Sequence, residues 1–171
     1  MASIWDQLLD FLTAHSGDPA TYLLTLFVFS IGAAIILPIP VETALVLAPE
    51  KMPFIIPALA LGLGKGVGAI AVFFIGAKVE HVVLQFGKWG WFKWLLDKSE
   101  GFVRRYGYFA LFAILTIPFM LDTVPLYVFS VLNKEGKLMR LRWFALVNVL
   151  AGTTRASIIL IAFRHFGLTL F

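Results

Sequence analysis

Leu37-Pro38-Ile39-Pro40-Val41-Glu42 interrupts a long apolar stretch, and how it is read decides the fold. No residue between Asp18 and Glu42 is charged, so Thr21 to Ile36 is expected to be helical. Pro38 and Pro40 each remove a backbone donor and break that helix at Leu37. The next apolar piece, Thr43 to Ala48, stops at Pro49-Glu50-Lys51-Met52-Pro53. At helical rise it covers about 9 Å of a hydrocarbon core roughly 30 Å thick, so it cannot cross. A short return arm after a proline break is the pattern of a re-entrant hairpin. Its unpaired backbone must be buried in protein or face a wet cavity.

Working outward, Phe54 to Ala77 is long enough to span and carries one charge, Lys65, set among Gly62, Gly64, Gly66 and Gly68. Lys78 to Arg105 turns polar, basic and aromatic, with Trp89, Trp91 and Trp94 suited to a headgroup boundary. The pattern then recurs. Tyr106 to Ile117 is apolar, Pro118 breaks it, and Asp122 and Pro125 follow. Leu126 to Leu132 forms a short arm, 133–137 a charged turn, and Trp143 to Phe163 a second spanning segment with one charge, Arg155. Each half reads long arm, proline, acid, short arm, charged turn, and spanning helix with one internal base. Interrupted hydrophobic segments at corresponding places in two halves point to a transporter site.

Composition agrees with a membrane setting. Of 171 residues, 60% are hydrophobic and 14% charged, against about 25% charged in soluble domains. Mean hydropathy is +0.91. The formal charge of +4 does not point to nucleic acid, because the bases sit beside the apolar runs. If both hairpins re-enter and both long helices cross, one side holds Lys51 and Arg164 against Asp6, Asp10, Asp18 and Glu50. The other side holds ten bases, from Lys78 to Arg142, against Glu80, Asp97, Glu100 and Glu135. The positive-inside rule makes the basic side cytoplasmic, puts both termini outside and inverts the halves relative to each other. Residues 4–15 carry Trp5, Leu8, Leu9 and Leu12 on one helical face and read as an interfacial helix. The chain is short for a transport machine unless several copies associate as a homo-oligomer.

Four ionisable residues fall at membrane depth: Glu42, Lys65, Asp122 and Arg155. A lone charge there costs about 2.5 to 3.5 kcal/mol even on a lenient scale, so pairing or wet burial is expected. The four are expected to meet near the midplane, because the two tips enter from opposite faces. Lys65 as a point charge and Arg155 as a bidentate fork suit the phosphate of an anionic lipid. Glu42 and Asp122 suit holding those bases in an empty site, or carrying a proton. Two buried ion pairs that merely fix packing are the plainer alternative, although apolar residues would often serve as well. The glycine run is not a phosphate-binding Walker loop, since no Ser or Thr follows Lys65 and no strand precedes it. Gly64 and Gly68 have the small-xxx-small spacing of close helix packing instead. The absence of cysteine removes thiol chemistry, His15, His81 and His165 lack metal-ligand spacing, and no nucleophile sits with a base. No enzyme, metal site or cofactor is therefore expected.

These residues resemble the DedA family, whose members carry the VTT or SNARE-associated Golgi domain. Residues 37–42 look like that family's proline-rich tip with its acid, Gly64, Gly68 and Gly76 match its glycine spacing, and Ile117-Pro118 looks like its second tip. The likeness covers roughly residues 20–163. Where the family commonly has an acid after the second glycine, an arginine after the third and arginines flanking the second tip, this chain has Ala69, Ala77, Leu115 and Leu121. The resemblance implies a re-entrant-hairpin fold and a role in flipping polyprenyl phosphate carriers or scrambling phospholipids.

The expected architecture is an all-α integral membrane protein of two inverted repeats, each a re-entrant helical hairpin followed by a transmembrane helix. Residues 1–18 form the interfacial helix, 19–77 the first repeat, 78–105 a cytoplasmic amphipathic linker and 106–171 the second repeat. Pro38, Pro40, Pro118 and Pro125 mark the tips, and Gly64, Gly68 and Gly76 the packing face. The expected activity is translocation of an anionic lipid across the inner or plasma membrane, with membrane lipids and protons as partners. An ion-coupled exporter of small solutes and a non-transporting membrane assembly protein are the alternatives.

Overall fold

The computed structural model describes residues 18–35, 41–49, 52–86, 105–118, 122–133 and 139–166, and every regular element among them is helical. Helix α1 spans Pro19–Ile35, a 3-10 helix Val41–Leu47, and α2 Ile55–Phe86. Residues 105–116 form α3, Thr123–Leu132 α4 and Leu141–Phe166 α5. The expected interfacial helix, Pro38, Pro40 and most of the linker lie outside the described residues.

Local chemistry sets the ends of these elements. Asp18 caps α1 by accepting from Ala20 N at 3.2 Å, and Pro19 occupies the first helical position, where its missing donor costs nothing. Pro125 is similarly tolerated in the first turn of α4. The Asn133 side chain exchanges two hydrogen bonds with the Met139 backbone, at 2.8 and 2.6 Å, and closes the connection into α5. Buried hydroxyls fold back on their own helices: Ser30 donates to the Leu26 carbonyl at 2.7 Å. A helix type and a helix end differ most from the sequence reading. The segment holding Glu42 is 3-10, and α2 runs on to Phe86, past Lys78 where the polar linker was expected to begin.

Glycine fixes how the helices pack. A Cβ at Gly62 would overlap Thr153 Oγ1 and sit 2.7 Å from the Val149 carbonyl, and one at Gly66 would overlap Val149. Two residues on, and so on the opposite face, a Cβ at Gly64 would overlap the Phe27 carbonyl and one at Gly68 would lie 2.6 Å from Ala34 Cβ. Interior glycines cost about 1 kcal/mol each in helix propensity. Here they let α2 lie against α5 on one side and α1 on the other. The pairings also give direction: α1 and α2 run parallel, while α2 and α5 run antiparallel. Helix α4 runs with α2, from Asp122 beside Lys65 to Ser130, whose hydroxyl donates to the Val72 carbonyl at 3.1 Å.

Two apolar clusters form the core. One joins Tyr22, Leu26, Val41, Leu45, Leu61 and Ile159, and the other Ala69, Val72, Leu111, Leu126, Phe129 and Phe144. Residues 55–76 of α2 and 141–164 of α5 are long and apolar enough to cross a membrane. The exposed face of α2 is apolar too, with Leu59, Leu63, Val67 and Phe74. The span is therefore apolar on its exposed as well as its packed face.

Candidate functional site: a buried quartet of charges

The four charges expected to meet do meet, in the layer between the two apolar clusters. Lys65 lies near the middle of the apolar span of α2, about 15 Å from either end at helical rise. Arg155 occupies a similar level on α5. Glu42 is delivered by the 3-10 helix and Asp122 by the residue preceding α4. Lys65 Nζ lies 2.9 Å from Glu42 Oε1 and 2.6 Å from Asp122 Oδ2. Arg155 Nε lies 3.1 Å from Glu42 Oε1, and its Nη2 pairs with Asp122 Oδ1. Each base therefore touches both acids, one from its own half of the chain and one from the other half.

Burial makes this arrangement costly to disturb. Side-chain exposure is 1% for Arg155, 2% for Glu42, 5% for Lys65 and 10% for Asp122. Two positive and two negative groups sum to zero, which is what a low-dielectric interior demands of ions it cannot hydrate. Asp122 stands at the N-cap of α4 yet makes no side-chain capping bond, because its carboxylate is turned to the two bases. The acid of the second half thus gives up local helix stabilisation, about 1 kcal/mol for a good cap, to join the quartet.

Open helix ends in the fold are closed by side-chain donors, in roles that sequence reading did not assign. Arg155 Nη1 donates to the Ile117 carbonyl at 3.1 Å, where α3 has just ended. Thr123 donates to the Ala33 carbonyl at 3.2 Å and Tyr127 to the Ile35 carbonyl at 3.0 Å, so α4 caps the C-terminus of α1. Tyr22 donates to Ala44 O at 3.0 Å within the 3-10 helix, and Arg164 to Met52 O at 2.8 Å. Orphan carbonyls at a buried helix end need such donors, and for α1 the sequence signal was available in the hydroxyls of Thr123 and Tyr127, placed just after the second break.

Of the prolines expected to mark the tips, Pro118 is exposed and Pro125 buried. All three packing glycines serve contacts as expected, Gly76 against Ser130, and they are joined by Gly62, Gly66 and Gly152. A Cβ at Gly152 would come 3.1 Å from both Gly62 Cα and Lys65 Cδ, so this glycine shapes the space beside the Lys65 stem. Thr153 Oγ1 is buried between α2 and α5 with no hydrogen-bond partner among the described residues. The anion fork expected of Arg155 is largely committed: its Nη1 holds a backbone carbonyl while Nη2 and Nε face the acids. No protein-family model matches the chain, and neither a curated protein nor a solved structure matches it.

Proposed function

We propose that this chain is a multi-pass protein of the inner or plasma membrane, a divergent member of the DedA family, that translocates an anionic lipid such as a polyprenyl phosphate or a phospholipid. The observation that carries this reading is the quartet itself: two acids and two bases from both halves of the chain, buried halfway along two helices of spanning length. Ionisable groups at that depth are expensive and mark substrate or ion pathways. Helix directions support two inverted re-entrant hairpins. Parallel α1 and α2 require the chain between them to turn back, and the bond from Tyr22 to Ala44 marks that return. In the second half, Tyr108 accepts from Arg140 N at 2.6 Å while Ile117 reaches Arg155, so α3 runs inward from the start of α5 and α4 runs back out.

In this reading the acids hold the bases when no substrate is present, and the phosphate of the lipid, with or without a proton, replaces them during passage. One specific observation favours a second reading, that of a non-transporting assembly protein: two acids and two bases already neutralise one another's charge, as a static strut would. Reconstitution decides between them. Liposomes containing the protein should flip a fluorescent polyprenyl phosphate faster than empty liposomes, while transport of neither lipid nor ion would leave the assembly role.

A further inference from the structure

We infer that the two bases of the quartet divide the work: Lys65 is the base that leaves its carboxylates to take the substrate phosphate, and Arg155 is a positioning residue that stays in place. This rests on the transporter reading above. The asymmetry lies in what each base would abandon. Among the described residues Lys65 Nζ is held by Glu42 at 2.9 Å and Asp122 at 2.6 Å, both carboxylates. A phosphate oxygen offers an ammonium the same charge and the same acceptor chemistry, so the exchange costs no kind of contact. Arg155 also donates to the Ile117 carbonyl, and no anion could replace that bond from the carbonyl's side. Moving Arg155 would orphan backbone at the end of α3, which a hydrocarbon setting penalises.

Reach and residual charge point the same way. Lysine is a compact charge on a flexible four-carbon stem, whereas the guanidinium is a rigid fork suited to bridging fixed acceptors. A side chain at residue 152 would press on the Lys65 stem, 3.1 Å from Cδ, and glycine there removes that obstacle to its motion. When Lys65 swings away, both acids still face Arg155, through Nε and Nη2. If Arg155 left instead, Lys65 alone would hold the acids and the Ile117 carbonyl would have lost its donor.

The test uses the full chain in liposomes, with a fluorescent polyprenyl phosphate as transported probe and dodecyl phosphate as ligand in thermal-shift measurements. Lys65→Arg should change KM for the phosphate by about tenfold or more with a small effect on the thermal midpoint, because the charge stays but the swinging point donor becomes a fork. Arg155→Lys should lower the thermal midpoint and the maximal rate while KM stays within about twofold, because the backbone bond is lost but the anion's partner is not. Should Arg155→Lys fail to fold, the charge-balanced pair Lys65→Met with Asp122→Asn decides. It should fold and lose the stabilisation by dodecyl phosphate that the parent shows. The reverse pattern, KM following Arg155 and stability following Lys65, overturns the division, as does parental dodecyl phosphate stabilisation in the balanced pair. A parent protein that neither flips the probe nor responds to dodecyl phosphate instead overturns the transporter reading on which the division rests.

Discussion

Lys65→Met keeps most of the volume of the lysine stem but removes its ammonium, leaving two buried carboxylates to share one guanidinium. Breaking a buried ion pair by deleting one partner typically costs about 3–5 kcal/mol. The low exposure of Glu42 and Asp122, 2% and 10%, places this site within that class. Adding Asp122→Asn to the same chain restores neutrality, leaves Glu42 with Arg155 at 3.1 Å, and keeps an amide oxygen in front of Nη2. The double variant should therefore be more stable than Lys65→Met alone, with a coupling of about 2 kcal/mol in the cycle. Unfolding titrations in mixed anionic and neutral detergent micelles, followed by tryptophan fluorescence, measure all four corners. Strictly additive losses would refute the argument, since they would mean that Lys65 and Asp122 do not sense each other's charge.

Three further outcomes follow from packing and from buried polar groups. Gly64→Ala should lower stability by about 1–3 kcal/mol, because its Cβ meets the Phe27 carbonyl and Ser30, whereas Gly32→Ala meets nothing and should be neutral or slightly stabilising in the same titration. Tyr127→Phe should cost about 1–2 kcal/mol by stranding the Ile35 carbonyl, and hydrogen exchange at the end of α1 should rise with it. Thr153→Val removes a buried hydroxyl that has no partner among the described residues, so its thermal midpoint should equal or exceed the parent's.

The elements that sequence made legible are those decided by local chemistry. The end of α1 ahead of the prolines and the two spanning-length helices follow from proline and uninterrupted apolar runs. The start of α1 at Pro19, two residues ahead of the expected Thr21, follows from the Asp18 cap, which the apolar run did not show. The meeting of Glu42, Lys65, Asp122 and Arg155 was legible for a thermodynamic reason: four ions in an apolar chain have few partners but each other. Partner choice within the quartet was not legible. Nothing in the residue order says that each base bridges both acids, or that Arg155 also holds the Ile117 carbonyl, because that depends on where α3 stops relative to α5. Helical continuation past Lys78 was hidden by the polar, aromatic run that begins there, which reads equally well as a loop or as a helix leaving the membrane. The double-faced use of glycine in α2 was half visible: Gly64 and Gly68 share one spacing, Gly62 and Gly66 the same spacing one register away.

The measurement that bears most directly on the transport claim compares the parent with a charge-free quartet, Glu42→Gln, Lys65→Met, Asp122→Asn and Arg155→Met, in one liposome preparation. Apolar or neutral replacements of similar volume often leave a buried ionic cluster's fold intact, so this variant should remain folded by circular dichroism and size-exclusion chromatography. Translocation of the fluorescent polyprenyl phosphate, read as the fraction of probe accessible to an external quencher over time, should be fast with the parent and fall to the protein-free rate with the variant. A folded charge-free variant that flips the lipid as fast as the parent would contradict the assignment of the quartet as the transport site.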